Sequence, residues 1–304
     1  MKFIETLNIE NDEAIKLAYE DYGIGKPVVL IHGWPLSKEM WEYQLDALVG
    51  SGMRVITYDR RGFGNSSKPW FGYDYDTLAR DLEEVLVQLK LEEVTLVGFS
   101  MGGGEIARYS SLFGLKKISR IILISSILPS LLKSAENPEG SSTEQLNEKL
   151  EQISTDRIEF LETFGKHFFG IDIISQPISK PLLEYYKMLG SLASPRATKE
   201  CMKAFTNTDF TNDIKSIDIP VLIIHGEADK TVPIDISSKR LASMIPESQL
   251  VIYDSAPHGI FYTEKDRLNL DIMSFIRTGL PAMEYNEDTL YDVLPNNEAL
   301  STRD

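Results

Sequence analysis

Val94-Thr95-Leu96-Val97-Gly98-Phe99-Ser100-Met101-Gly102-Gly103-Gly104 carries an apolar run through a small-residue turn into Glu105-Ile106-Ala107-Arg108-Tyr109. Four apolar-rich residues followed by glycines and a helical pattern read as strand, sharp turn and helix, with the turn spelled G-x-S-x-G. A strand that bends straight into a helix forces its central residue into a strained conformation and leaves no room for side chains at 98 and 102. The strain would lift the Ser100 hydroxyl clear of the sheet. The following helix would aim its free N–H groups and positive dipole end at any oxyanion formed there.

A serine hydroxyl is a weak nucleophile at neutral pH and needs a histidine to take its proton and a carboxylate to orient that histidine. In this strand–turn–helix setting the chain order is Ser, then Asp or Glu, then His. The chain has four histidines, of which His167, His225 and His258 follow Ser100. His258 lies in Ser255-Ala256-Pro257-His258-Gly259, just past the strand-like run Gln249–Tyr253. A flexible turn beyond a strand end can return a side chain across the sheet. The acid is expected after the apolar run Val221–Ile224, in His225-Gly226-Glu227-Ala228-Asp229, because open α/β sheets build sites at the carboxyl ends of their strands. Asp229 lies further into that loop than Glu227, but spacing alone leaves both open. His225 and His32 each sit at a strand end beside a glycine and read as structural. His167 reads as part of a different layer, lining a pocket.

An oxyanion needs two backbone donors. One is the N–H of Met101, directly after the serine. The other fits the turn His32-Gly33-Trp34-Pro35, where Trp34 keeps an N–H and Pro35 cannot donate. Pro35 also biases Trp34 toward extended backbone.

Residues 3–22 alternate as a hairpin about Asn11-Asp12. Strands are expected near 27–31, 54–58, 94–98, 120–124, 220–224 and 249–253, with helices between them, notably 75–89 and 103–113. Strands alternating with helices form a mostly parallel sheet covered on both faces. Residues 128–212 break the alternation: a loop with Pro129, Pro138 and Gly140 leads into helical stretches rich in Phe, Tyr and Met. This segment reads as a helical cap on a core made of 1–127 and 213–278. Residues 279–304 are acidic and poor in apolar residues, so disorder is expected, with Tyr285, Leu290, Tyr291, Val293 and Leu294 available to dock on a neighbouring surface. Trp34, Met101, Ile127 and Ile260 neighbour the reactive elements in sequence and are expected to line the substrate pocket. Phe164 and Phe168 are further pocket candidates, although either could belong to a helix core.

With these residues in view, the chain resembles the α/β-hydrolase superfamily, and within it the cofactor-free haloperoxidase, perhydrolase and arylesterase branch. The resemblance runs from about residue 3 to residue 277. Its motifs are His32-Gly33-Trp34-Pro35, Tyr58-Asp59-Arg60-Arg61-Gly62-Phe63-Gly64-Asn65-Ser66-Ser67-Lys68-Pro69-Trp70, Tyr73–Thr77, the elbow at Ser100, and Ala256-Pro257-His258-Gly259. The 59–64 block with Trp70 is more specific to the branch than the elbow. Thr263-Glu264 stands where the family often has Thr-His, and the usual family chain lacks the tail after Thr278. The resemblance implies an eight-stranded, mostly parallel sheet with helices on both faces and a helical cap. It implies a Ser100–His258–Asp229 triad, which selects Asp229 over Glu227, and an oxyanion hole from the Trp34 and Met101 N–H groups. It further implies an acyl-enzyme route with no metal, haem or flavin, acting on small or aryl esters. Hydrogen peroxide would replace water in part, giving a peracid that oxidises halide in solution. In this branch a proline after the oxyanion tryptophan accompanies peroxide use, and Pro35 fits that.

The chain has 304 residues and a formal charge of −15, from 31 Lys and Arg against 46 Asp and Glu. Phosphate backbones need clustered cations, so nucleic acid is not an expected partner. The same charge disfavours anionic substrates at long range, an effect that a local pocket can override. No run reaches the ~18 apolar residues of a membrane span. The start of the chain carries no secretion pattern, Cys201 has no partner for a disulfide, and no zinc-ligand cluster is present. These features point to the cytoplasm; the resemblance implies a small-molecule ester or carboxylic acid substrate, with or without H2O2 and halide, and a homo-oligomer is compatible with both. Lactonase, lactamase or carbon–carbon bond hydrolase activity would use the same residues. A ligand receptor on the same fold would need no turnover. Ser100 at the elbow argues against an aspartate nucleophile, and the glycine spacing at 98–102 lacks the dinucleotide fingerprint.

Overall fold

The computed structural model describes residues 1–282. The remainder of the acidic tail, including Tyr285, Leu290, Tyr291, Val293 and Leu294, lies outside the described residues. Eight strands form one sheet: β1 (Lys2–Glu10), β2 (Glu13–Tyr22), β3 (Pro27–Ile31), β4 (Arg54–Tyr58), β5 (Val94–Phe99), β6 (Ile118–Ile124), β7 (Val221–Gly226) and β8 (Gln249–Tyr253). Their order is β1-β2-β4-β3-β5-β6-β7-β8. The hairpin β1–β2 joins β4 antiparallel, and every pairing from β4 through β3 to β8 is parallel.

The central strands are continuous apolar runs because both of their faces are covered. In β3, Val29 and Ile31 enter one core with Leu96 and Ile106. Val28 and Leu30 enter the other with Val97, Trp41 and Phe275. That two-residue alternation assigns helices to the two faces. α1 (Glu42–Gly50) and α11 (Lys265–Thr278) cover one, while α2 (Tyr75–Gln88) and α3 (Met101–Phe113) cover the other. α2 starts at Asp74, whose carboxylate accepts from the Thr77 N–H at 2.9 Å. The short helices α9 (Ser238–Met244) and α10 (Ile260–Thr263) complete the core.

Between β6 and β7 lie α4 (Thr143–Thr155), α5 (Arg157–Phe168), α6 (Lys180–Leu192), α7 (Pro195–Asn207) and α8 (Thr211–Ile214). Their starts are written in the sequence: Ser142 with Gln145 forms a capping box, and Ser179 and Ser194 cap helices that open with proline. The expected boundary at 212/213 falls inside α8. That turn packs on the core, where Arg108 of α3 binds Asp213 at 2.9 Å. Residues 279–282 also depart from expectation. Gly279 caps α11 in the left-handed region, and the Ala282 N–H donates to Asp271 at 2.9 Å, so the chain folds back here. No helix among the described residues is long and apolar enough to cross a membrane.

Candidate active site

Strand order reverses beside β3, which neighbours β4 on one side and β5 on the other. Such a switch point opens a crevice at the carboxyl ends of the strands. The turn 32–35 leaves β3 there, and Ser100 leaves β5. Ser100 holds φ 52° and ψ −114° as the residue capping α3, a conformation that costs a non-glycine residue ~1–3 kcal/mol. The flanking glycines permit it by close approach. A Cβ at Gly98 would stand 2.8 Å from the Gly102 carbonyl, and one at Gly102 would stand 2.7 Å from the Ile31 carbonyl oxygen.

The His258 Nε2 lies 3.1 Å from the Ser100 Oγ. On its other side, Nδ1 lies 2.5 Å from the Asp229 Oδ2. All three side chains are buried. The Asp229 Oδ1 accepts from the backbone N–H groups of Thr231 and Val232 at 2.9 and 2.8 Å. Burial works against ionisation of Asp229, but the imidazoles of His258 and His225 outweigh it and hold the carboxyl below its ordinary range. The loops after β7 and β8 are joined by the Glu227 N–H on the Tyr253 carbonyl and the Ala228 N–H on the Ala256 carbonyl. Glu227 itself is exposed and accepts from the Ser255 N–H at 3.3 Å, away from His258.

His258 is also gripped from the inserted helices. The Phe168 ring, at the end of α5, meets it edge-on at 4.7 Å, and the Phe168 carbonyl accepts from the Gly259 N–H at 3.0 Å. His225 bridges the Ser238 Oγ and the Val232 carbonyl and stands 3.1 Å from Asp229. His32 accepts from the Arg60 N–H at 2.9 Å. Burial, aided by the Arg60 charge, lowers its pKa well below the imidazole norm. The Arg60 guanidinium is buried against Glu105 and donates to the His32 carbonyl at 2.7 Å, which pins the turn after β3.

That turn comes very close to the serine: a Cβ on Gly33 would lie 3.2 Å from the Ser100 Cβ. Among the described residues, neither the Trp34 nor the Met101 backbone N–H has a protein acceptor. The Trp34 indole donates to the Thr198 carbonyl of α7 at 3.0 Å, and its ring meets Phe160, Phe164 and Phe205 edge-on.

A cavity of about 70 Å³ borders both Ser100 and His258. Of the expected pocket residues, Trp34, Ile127 and Phe164 line it. Phe168, Ile260 and the Met101 side chain do not, which corrects the sequence-based expectation. Phe168 packs on His258 and Phe99 instead. Ile260 is turned into the core beside α11 and donates its N–H to the His258 carbonyl. The Met101 side chain is enclosed in the opposite core. Leu131, Leu146, Phe160, Met202, Phe205 and Val232 also line the cavity and were not anticipated from sequence. They come from distant segments, and only their apolar character offered a signal. Next to it lies an outer vestibule of about 610 Å³, bordered by His167 among others. The two spaces share Lys149, Phe160, Phe164 and Thr231. Among the described residues no group of His, Cys, Asp and Glu could hold a metal ion.

The family described as alpha/beta hydrolase fold matches residues 26–265. The chain is similar to the bromoperoxidase of Bacillus anthracis, with 44% identity and a TM-score of 0.87 over 91% of this chain and 99% of that one. It is 38% identical to the non-heme chloroperoxidase CPO-A1 of Kitasatospora aureofaciens, over 87% of this chain and 97% of the relative. It is 33% identical to the bifunctional esterase/perhydrolase DCH of Acinetobacter calcoaceticus, over 89% and 99%.

Proposed function

Because the chain belongs to the alpha/beta hydrolase family and is an enzyme of that type, we propose that it is a serine esterase for small or aryl carboxylic esters that can also form peracids. The continuous path from the Ser100 Oγ through His258 to Asp229, beneath a cavity, is the observation that carries this reading. Relatives named chloroperoxidase and esterase/perhydrolase support the peroxide branch.

His258 takes the Ser100 proton as the Oγ attacks the ester carbonyl. The oxyanion forms against the Trp34 and Met101 N–H groups and the start of α3, an arrangement in which losing one donor costs ~3–4 kcal/mol. His258 then gives the proton to the departing alcohol, leaving Ser100 acylated. Water attacks the acyl group with His258 as base and releases the acid. When hydrogen peroxide attacks instead, a peracid leaves. In solution, peracid, halide and a proton yield hypohalous acid and the carboxylic acid, so no redox group is required of the protein. Segment 128–212 acts as a cap that supplies most of the cavity wall and limits water.

The test is turnover of p-nitrophenyl acetate with and without hydrogen peroxide, alongside Ser100→Ala. Loss of turnover in the variant, with peracid in the peroxide arm, is the expected result. Turnover that survives Ser100→Ala removes the serine mechanism, and Ser100-dependent hydrolysis without peracid removes the peroxide branch.

A further inference from the structure

The cavity over Ser100 is lined mostly by apolar side chains; besides Ser100 and His258 its polar members are Ser141, Thr206, Thr231 and Lys149. Among the described residues Lys149, from α4, is its one Lys or Arg, and no carboxylate lines it. Acidic side chains (Glu151, Asp156 and Glu159) border only the outer vestibule. Lys149 as a residue is exposed, and among the described residues its ammonium forms no ion pair or hydrogen bond. Partial desolvation where the ammonium meets the cavity mouth lowers its pKa from the ordinary lysine value.

A second polar group is left over at the same place. The Thr231 Oγ1 is buried without a hydrogen-bond partner, and Thr231 shares with Lys149 the position where the cavity meets the vestibule. Its backbone N–H is already committed to Asp229. Among the described residues no protein group pairs with this hydroxyl, so it is available to donate to a ligand acceptor, a bond of the kind whose loss costs a buried donor ~1–3 kcal/mol.

We propose that Lys149 and Thr231 form a subsite for a carboxylate on the substrate, remote from the scissile carbonyl, so that half-esters of short dicarboxylic acids are a preferred substrate class. The methylenes lie along the apolar wall, the ester carbonyl meets Ser100, and the distal carboxylate takes the Lys149 ammonium and the Thr231 hydroxyl. Local charge thereby offsets the long-range repulsion from the acidic surface. This inference rests on the esterase reading above.

The experiment compares kcat/KM for monomethyl glutarate and methyl pentanoate, followed by pH-stat in the full chain, its Lys149→Met, Lys149→Arg and Lys149→Glu variants. The ratio of the two values is expected to fall about fivefold in Lys149→Met, equivalent to ~1 kcal/mol, through KM of the half-ester. It should fall further in Lys149→Glu and largely return in Lys149→Arg. A ratio unchanged in Lys149→Met, or lost equally in Lys149→Arg, overturns the subsite. So does failure of wild type to hydrolyse the half-ester while Ser100-dependent cleavage of p-nitrophenyl acetate persists. Absence of that Ser100-dependent cleavage overturns the underlying esterase reading.

Discussion

Replacing Asp229 with Asn changes one atom at the end of the Ser100–His258 path, and the surroundings determine how the amide must sit. The Asp229 Oδ1 accepts two backbone N–H groups, from Thr231 and Val232, while Oδ2 faces the His258 Nδ1 at 2.5 Å. Placing the amide NH2 against the two backbone donors would leave buried donors unpaired, at ~1–3 kcal/mol each. The oxygen therefore stays with the backbone, and the NH2 turns to His258. Nδ1 must then accept, which puts the ring proton on Nε2. That nitrogen can no longer accept the Ser100 proton across 3.1 Å. The expected loss is ~10⁴ in kcat, or ~5.5 kcal/mol of transition-state stabilisation. Steady-state hydrolysis of p-nitrophenyl acetate measures it, with a thermal melt to establish that the variant is folded. Glu227→Gln is the control, because Glu227 is exposed and, among the described residues, its carboxylate accepts only from the Ser255 N–H; its rate should stay within about twofold. A folded Asp229→Asn within tenfold of wild type, or a loss of decades in Glu227→Gln, would refute the reasoning.

Phe168→Ala should destabilise the fold by ~3–5 kcal/mol and lower kcat about tenfold or more by loosening His258; unaltered kcat in the folded variant would remove Phe168 as a positioning residue. Pro35→Leu should lower the ratio of perhydrolysis to hydrolysis, read as peracid against acid in the same reaction, and an unaltered ratio would end that role. Burial, aided by the Glu39 charge, pushes Asp59 up to about 6 from 3.8. The native state then holds the proton where the unfolded chain has lost it, so this group's contribution to stability declines as pH rises from about 4 to 6, by ~3 kcal/mol. Urea midpoints of wild type and Asp59→Asn across that window check the sign: the variant should lose that slope. Burial likewise pushes the Cys201 thiol up to about 12, so a thiol reagent at neutral pH should label it only after unfolding; rapid labelling of folded protein would contradict this.

Much of the fold was legible because parallel strands buried on both faces leave unbroken apolar runs, as in Val28–Ile31 and Val221–Ile224. The helix after Ser100 starts at Met101 rather than the expected 103, since the strained serine itself ends the strand. His258 was within reach of sequence reasoning because it follows a strand end, whereas spacing left Asp229 and Glu227 both open and the family resemblance selected Asp229. The pocket was not. Ile260 is two residues from His258 but faces the core, for nearness along a chain does not fix which side of a turn a side chain takes. Leu146, Met202 and Phe205 come to line the cavity beside Ser100 through the packing of separate helices, for which hydrophobic period gives a face but no partner. The Thr231 hydroxyl gave no signal at all, since its significance lies in a missing partner.

The Gly259 N–H is held by the carbonyl of Phe168, a residue at the end of a helix that also supplies Phe160 and Phe164 to the cavity wall. One helix therefore borders the cavity and braces His258, the proton carrier of the proposed mechanism. Substitutions along Arg157–Phe168 selected for a new substrate should carry a penalty in turnover even where they never touch it. α7 is tied in the same double way, since it lines the cavity with Met202 and Phe205 and holds the Trp34 indole through the Thr198 carbonyl. Divergence of substrate range in this architecture should accordingly be uneven, with the loop at Leu131 changing faster than α5 or α7.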